Sequence, residues 1–248
     1  MIDESEVARF RAIAAEWWDE HGKFRPLHQL APARMAFIRD GLARHFDRDP
    51  TRLRPLAGLS LLDVGCGGGL VAEPLARLGA TVTGIDPGEE TIAVARAHAA
   101  ASGLLIDYRA ETAEAVLASG RRFDAVTCLE VVEHVPDPEG FVRVLAGLVR
   151  PGGLLVLSTL NRTARAYLLA IVGAEYVLGW LPTGTHRYDR FITPAELEAM
   201  VEGAGLEAGE TKGIAYDLLS GTWSLGDDTA VNYMTSAVRP DRDAPTPG

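Results

Sequence analysis

A cluster of glycines in the first half of the chain has a spacing that can form a ligand-binding turn. The segment DVGCGGG spans residues 63–69 and follows a short apolar run. Glycines there let the backbone approach a ligand closely, and the start of a following helix offers free N–H groups. Leu70 stands where a dinucleotide fingerprint has its third glycine. Asp63 would repel a pyrophosphate but can hold an ammonium group. Asp63 and Gly67 are therefore candidate contacts of a ligand with an ammonium group, and the alternative is a turn that only joins the strand to the helix.

A second carboxylate, Asp86, ends the next predicted strand in the sequence Gly84-Ile85-Asp86. An acidic side chain in this position of a parallel sheet can accept both ribose hydroxyls of an adenosine. Dinucleotide and nucleoside sites share this feature, so Asp86 alone does not choose between them. The alternative is an aspartate that only caps the next helix.

Three further polar residues, Glu130, Glu133 and His134, lie at i, i+3 and i+4 after the fourth predicted strand. On one helical turn they would share a face at the carboxyl edge of the sheet, where parallel-sheet enzymes have their sites. Two carboxylates and an imidazole suit Mg²⁺ or Zn²⁺. His134 acting alone as a general base is the second hypothesis, and a cluster that only braces the loop is the third.

The elements that must position these residues alternate between strands and helices from residue 59 onward, which predicts a mainly parallel sheet of α/β class. Seven strands are expected, one of them antiparallel, with the first five in the order 3-2-1-4-5. The predicted strands are residues 59–64, 81–85, 104–108, 123–129, 153–159, 206–214 and 231–238. Thr193 to Glu196 predicts a capping box that opens a helix.

The domain organisation follows from the same pattern. Residues 1–58 are expected to form an N-terminal helical cap, with one helix ending near Gly22 and another from about Arg34 to Phe46. Residues 59–240 form the main domain, which carries an insertion at 162–190. Residues 241–248 are proline-rich and are expected to be disordered.

Composition excludes several classes of protein. The 248 residues are 47% hydrophobic and 23% charged, as in ordinary globular domains. The formal net charge of −10 disfavours nucleic acid as a partner. Two cysteines make no disulfide framework and fit a cytoplasmic location. The most apolar run, residues 164–181, contains Arg165 and Glu175, so a membrane span is not expected.

The glycine turn, Asp63 and Asp86 together resemble the Rossmann-like, class I methyltransferases that use S-adenosylmethionine. This resemblance covers about residues 59–160 and implies that cofactor. An NAD-dependent dehydrogenase is the rival enzyme class, against which Leu70 and Asp63 count.

A narrower resemblance covers nearly the whole chain and points to the UbiG-type ubiquinone-biosynthesis O-methyltransferases. The blocks that carry it are Trp17-Trp18-Asp19, Phe24-Arg25-Pro26-Leu27-His28, Glu133-His134-Val135-Pro136-Asp137, Ser158-Thr159-Leu160-Asn161-Arg162, Gly173-Ala174-Glu175-Tyr176 and Val231-Asn232-Tyr233-Met234. This resemblance implies cofactor contacts at Arg34, Gly65, Asp86 and Leu129, with Arg34 reaching the cofactor carboxylate.

The family implies methylation of polyprenyl catechol and demethylubiquinol hydroxyls, with other enzymes of the ubiquinone pathway as candidate partners. An O-methyltransferase of another small phenol and a non-catalytic cofactor-binding module are the alternatives. Catalytic roles are expected for His134, Glu130 and Glu133, which would also be the ligands if a metal binds. Aromatic residues and arginines in the insertion predict a lid that touches the membrane surface, where a polyprenyl substrate resides.

Overall fold

The computed structural model describes residues 17–22, 24–168, 188–217 and 222–241. A single sheet crosses this part of the chain in the order β3-β2-β1-β4-β5-β8-β6-β7. Its strands are β1 (Ser60–Val64), β2 (Thr81–Ile85), β3 (Asp107–Arg109), β4 (Phe123–Leu129), β5 (Val149–Leu160), β6 (Glu207–Asp217), β7 (Thr222–Gly226) and β8 (Asn232–Val238).

The first five strands are parallel and have the predicted order. Strand β8 is antiparallel to both β5 and β6, and β7 is antiparallel to β6. The prediction of seven strands, one of them antiparallel, is therefore wrong by one strand: the sheet has eight strands, of which two are antiparallel to the rest. The additional strand, β7, forms a hairpin with the end of β6 at the edge of the sheet, and both β7 and β8 run against the others.

Helices cover both faces of the sheet. They are α1 (Arg25–His45), α2 (Ala72–Arg77), α3 (Glu89–Ala101), α4 (Ala113–Ala118), α5 (Pro138–Leu148), α6 (Ala164–Ala166) and α7 (Pro194–Gly203), with 3-10 turns at Val132–His134 and Tyr188–Arg190. Side chains of α4, α5 and α7 form one buried cluster with the sheet. Side chains of α1, α2 and α3 form the second cluster on the other face.

Helix α1 begins nine residues before the predicted start at Arg34. Pro26 stands in its first turn, where a proline removes no helical hydrogen bond. Pro32 lies inside the helix, where a proline normally breaks it. Leu30, Phe37 and Ile38 of this helix are buried, and this burial outweighs the local cost of Pro32.

The capping box that opens α7 is confirmed. The Thr193 hydroxyl accepts a hydrogen bond from the Glu196 backbone, and the Glu196 carboxylate accepts one from the Thr193 backbone at 2.8 Å. The helix buries Leu197 and Val201 against the sheet. The capping box therefore marks the point after the insertion at which the chain returns to the main domain.

Several predicted features lie outside the described residues. These are the first predicted helix up to residue 16, most of the insertion (residues 169–187) and the tail from residue 242. The domain boundary at residue 58/59 stays a prediction. Within the described ranges, no helix has the length and apolarity needed to cross a membrane.

Candidate active site

The glycine turn adopts a backbone that side chains disfavour. Gly65, Gly67 and Gly69 have φ values of 70°, 52° and 98°, in the left-handed region that glycine occupies without cost. The amides of Gly65 and Cys66 donate to the Ile85 carbonyl at 2.8 and 3.0 Å. The turn is thereby fixed to the end of β2, with the Val131 side chain against Gly65 and the Trp17 ring against Gly67.

Asp63 lies at the end of β1 and is only 2% exposed. The Thr127 hydroxyl donates to its Oδ1 at 2.7 Å, whereas Oδ2 makes no hydrogen bond of ordinary geometry within the described ranges. Burial raises the pKa of Asp63 to about 7. A cationic group brought to Oδ2 would favour the ionised form. No local sequence pattern predicts this contact of Thr127, which directly precedes Cys128 in β4.

Asp86 follows β2 and is half-buried beside the turn. Its Oδ2 accepts a hydrogen bond from the Gly67 amide at 3.3 Å, and its Oδ1 accepts one from the Gly88 amide at 2.8 Å. The carboxylate therefore ties the glycine turn to the start of α3. A carboxylate has about four acceptor sites, and the predicted role toward a ribose stays a prediction.

Arg34 on α1 forms a buried ion pair with Glu130, 96 residues away in the sequence. Arg34 Nη2 lies 2.7 Å from Glu130 Oε1, and the side chains are 7% and 19% exposed. The Ser158 hydroxyl donates to the same oxygen at 2.9 Å. Arg34 Nε is buried and makes no hydrogen bond within the described residues. Two residues predicted for separate roles, cofactor binding and catalysis, are thus direct partners.

The helical turn expected to hold Glu130, Glu133 and His134 is not formed as predicted. Glu130 has a φ of 54° at the end of β4, and only Val132–His134 form a 3-10 turn. A left-handed backbone at a residue other than glycine is uncommon and is typical of functional sites. The sequence could not show this reversal, since it depends on the partners of the Glu130 side chain.

Glu133 is 3% exposed, and neither of its carboxylate oxygens makes a hydrogen bond of ordinary geometry in the described part of the chain. Burial, together with the nearby charge of Glu130, raises its pKa to about 7. His134 is half-buried, and its backbone carbonyl accepts a bond from Arg190 Nη1 at 3.4 Å. Among the described residues, no three His, Cys, Asp or Glu side chains are grouped so as to hold a metal.

Leu129, the remaining predicted contact, ends β4 and is half-buried against the second core cluster. Its side chain supplies an apolar wall next to Glu130. The predicted site residues on β1, β2 and β4 therefore share the carboxyl edge of the sheet, to which α1 adds Arg34. Sequence reasoning gave Trp17 and Trp18 no role, although both contact the glycine turn.

The chain is similar to known methyltransferases. Residues 27–210 match a family model described as a methyltransferase domain. A protein of Methylobacterium nodulans named ubiquinone biosynthesis O-methyltransferase is 58% identical over 239 residues, which are 96% of each chain. A protein of the same name from Azorhizobium caulinodans is 56% identical over 94% of this chain and 92% of its own.

Solved structures share the fold at lower identity. Magnesium protoporphyrin IX methyltransferase from Synechocystis PCC 6803, solved with bound SAH, has a TM-score of 0.61 at 23% identity and covers 88% of this chain and 85% of its own. A SAM-dependent methyltransferase from Thermotoga maritima has a TM-score of 0.57 at 18% identity, covering 94% of this chain and 99% of its own. With the identities above, the chain belongs to the family of ubiquinone biosynthesis O-methyltransferases.

Proposed function

We propose that this protein transfers a methyl group from S-adenosylmethionine to a phenolic oxygen of a polyprenyl catechol or of demethylubiquinol. The observation that carries the proposal is Asp63, a buried carboxylate with one oxygen lacking a hydrogen bond of ordinary geometry, placed directly before a glycine turn. This arrangement suits the ammonium group of an amino-acid-bearing nucleoside. The names of the relatives supply the substrate class.

The residues at the carboxyl edge fit that cofactor by their chemistry. Asp63 offers an acceptor for the ammonium group, and Asp86 supplies a carboxylate of the kind that binds ribose hydroxyls. Gly65 and Gly67 have the left-handed backbone of the turn, and Leu129 offers an apolar contact. When bound, S-adenosylmethionine supplies the methyl group on its sulfonium. The protein's part is to align a phenolic oxygen with that methyl group.

The phenol must lose its proton to become a strong nucleophile, and we assign proton acceptance to His134. An imidazole titrates near neutral pH and His134 is half-buried, so it can be reached by a substrate. Glu133 lies buried beside it with a raised pKa. Glu130 is engaged by Arg34 and Ser158 and is assigned a positioning role.

A metal is not used in this proposal. The described residues contain no group of three ligands, and Glu130 would have to leave its ion pair to bind one. If His134 is the base, methyl transfer persists in excess chelator. If the chelator abolishes activity and added Mg²⁺ or Zn²⁺ restores it, Glu130, Glu133 and His134 would instead be metal ligands.

Contact with a membrane surface is part of the proposal, because a polyprenyl substrate partitions into lipid. This part of the proposal is supported by exposed apolar and aromatic side chains at the two ends of the insertion. Tyr167, Leu168 and Tyr188 are 43%, 58% and 37% exposed. The location would then be the inner face of a membrane, held without a spanning helix.

The test is methyl transfer by the purified chain to a short-chain polyprenyl catechol, with a simple catechol as the second substrate. We expect transfer to the polyprenyl catechol and a large loss in His134→Gln. Asp86→Ala should weaken cofactor binding by about 1.5–3 kcal/mol, the size of a hydrogen bond to a charged group. Cofactor binding without transfer to any phenol would favour the non-catalytic alternative.

A further inference from the structure

Two consecutive tryptophans lie across the glycine turn. A Cβ placed on Gly67 would clash with Cζ2 of Trp17, and one placed on Gly68 would clash with Cδ1 of Trp17. The Trp17 ring therefore rests directly on both glycines, whose missing side chains leave it room. Trp17 is 8% exposed, so it is buried against the surface that the cofactor needs.

The indole nitrogen of Trp17 is a buried donor without an acceptor in the described part of the chain. A buried N–H left unpaired costs free energy, so such groups usually have a role toward a ligand or water. Arg34 Nε is a second donor of this kind, and Asp63 Oδ2 is an acceptor of this kind. By chemistry alone, a zwitterionic amino acid has a carboxylate that accepts from donors of this kind and an ammonium group that donates to such an acceptor.

The neighbouring side chains fix Trp17 in this position. On one side, the His28 ring donates from Nε2 to the Trp17 carbonyl at 3.0 Å, and the Phe24 ring lies 4.1 Å from that of Trp17. These contacts attach the tryptophan to α1, the helix that also carries Arg34.

Trp18 attaches the same segment to the opposite side of the turn. Its Nε1 donates to the Gly68 carbonyl at 2.9 Å. Its ring stacks on that of His98 at 3.5 Å between centroids, with an angle of 7°. His98 in turn hydrogen-bonds Glu73 Oε1 from Nδ1 at 2.6 Å. The segment that carries Trp17 is thus attached on both sides of the glycine turn.

We propose that Trp17 is a cofactor-binding residue whose indole N–H donates to the carboxylate of the amino-acid end of S-adenosylmethionine. This inference rests on the proposed function and adds to it a contact from the N-terminal segment. Because the Trp17 ring rests on Gly67 and Gly68, it must shift when the cofactor reaches the turn, and its N–H then favours nucleosides that carry an amino-acid end.

The test compares two ligands by calorimetric titration of the full chain. S-adenosylhomocysteine has the amino-acid end, whereas 5′-methylthioadenosine keeps the adenosine and the thioether without it. Trp17→Phe preserves an aromatic ring but has no N–H. We expect it to bind S-adenosylhomocysteine on the order of tenfold more weakly, the contribution of one hydrogen bond to a charged group, and to bind methylthioadenosine as the wild type does.

Trp223→Phe is the matched control, because the Trp223 indole nitrogen on β7 is also buried without a partner in the described residues. This variant should bind both ligands normally. Trp17→Phe with unchanged affinity for S-adenosylhomocysteine, or with equal losses for both ligands, would overturn the assignment. Wild-type protein that binds neither ligand would overturn the proposed function itself.

Discussion

Asp63 makes cofactor binding sensitive to pH, because burial raises its pKa to about 7. Below that pH the carboxyl group of the free protein is protonated, and an ammonium group must displace the proton to bind. The affinity for S-adenosylhomocysteine should therefore fall as the pH drops from 8 to 6, by up to about tenfold for each pH unit below the pKa. Calorimetric titration across this range measures the slope.

Asp63→Asn is the control for this pH dependence. The amide does not titrate, and its oxygen can still accept the hydrogen bond from Thr127. The variant should bind weakly with little dependence on pH between 6 and 8. A wild-type affinity that stays constant over the same interval would show that no ammonium group binds at Asp63.

The ion pair of Arg34 and Glu130 couples α1 to the end of β4. Removal of one buried partner leaves the other charge without compensation, at about 3–5 kcal/mol. Arg34→Met and Glu130→Gln should each lower the free energy of unfolding. The decrease in the free energy of unfolding of the double variant should be smaller than the sum of the two single decreases, by about 1–3 kcal/mol.

Urea unfolding of the four proteins gives this coupling energy. Strictly additive losses would mean that the 2.7 Å contact contributes no coupling to stability. The pair also shows a limit of sequence reasoning at this scale. Local sequence located Asp63 and Asp86, because Asp63 lies near the end of a strand and Asp86 directly follows one. A partner 96 residues distant leaves no local pattern.

At the scale of elements, local signals located most strands because each has a buried apolar face. Strands β2 and β4 have the predicted bounds. The signals failed where tertiary contacts override local preference. Helix α1 continues through Pro32, and Glu130 leaves β4 with a left-handed backbone because Arg34 and Ser158 hold its side chain.

The capping box of α7 is a local device whose contribution can be measured. Thr193→Ala removes the side-chain acceptor at the helix start and should lower the free energy of unfolding by about 1 kcal/mol. Thr193→Ser retains a hydroxyl and should stay within a few tenths of a kcal/mol of the wild type. Thermal or urea unfolding compares the two variants. Equal losses in both would assign the effect to packing of the threonine methyl group.

At the scale of the whole molecule, the net charge of −10 opposes binding to anionic lipids. Two arginines that flank the insertion are paired within the described residues. Arg162 pairs with Glu196, and Arg165 pairs with Asp228 at 2.6 Å. These pairs reduce the electrostatic contribution of the two arginines to membrane contact, so we expect contact to depend mainly on apolar side chains.

Two exposed leucines allow a matched test of this conclusion. Leu168 is 58% exposed and follows β5 at the carboxyl edge of the sheet, near the candidate site. Leu105 is 96% exposed and precedes β3 at the opposite edge. Since a lipid substrate must reach the site, a membrane should contact the first edge and not the second. The leucine variants therefore report on the orientation of the molecule as well as on its binding.

Flotation with zwitterionic liposomes should recover the wild-type protein equally at low and high salt, because apolar insertion is not screened by salt. Leu168→Glu should reduce recovery by placing a charge where lipid is contacted. Leu105→Glu adds the same charge at the opposite edge and should float like the wild type. A protein that never floats has no membrane contact. Loss of flotation at high salt, or equal losses in both variants, would contradict apolar binding through the edge that carries the candidate site.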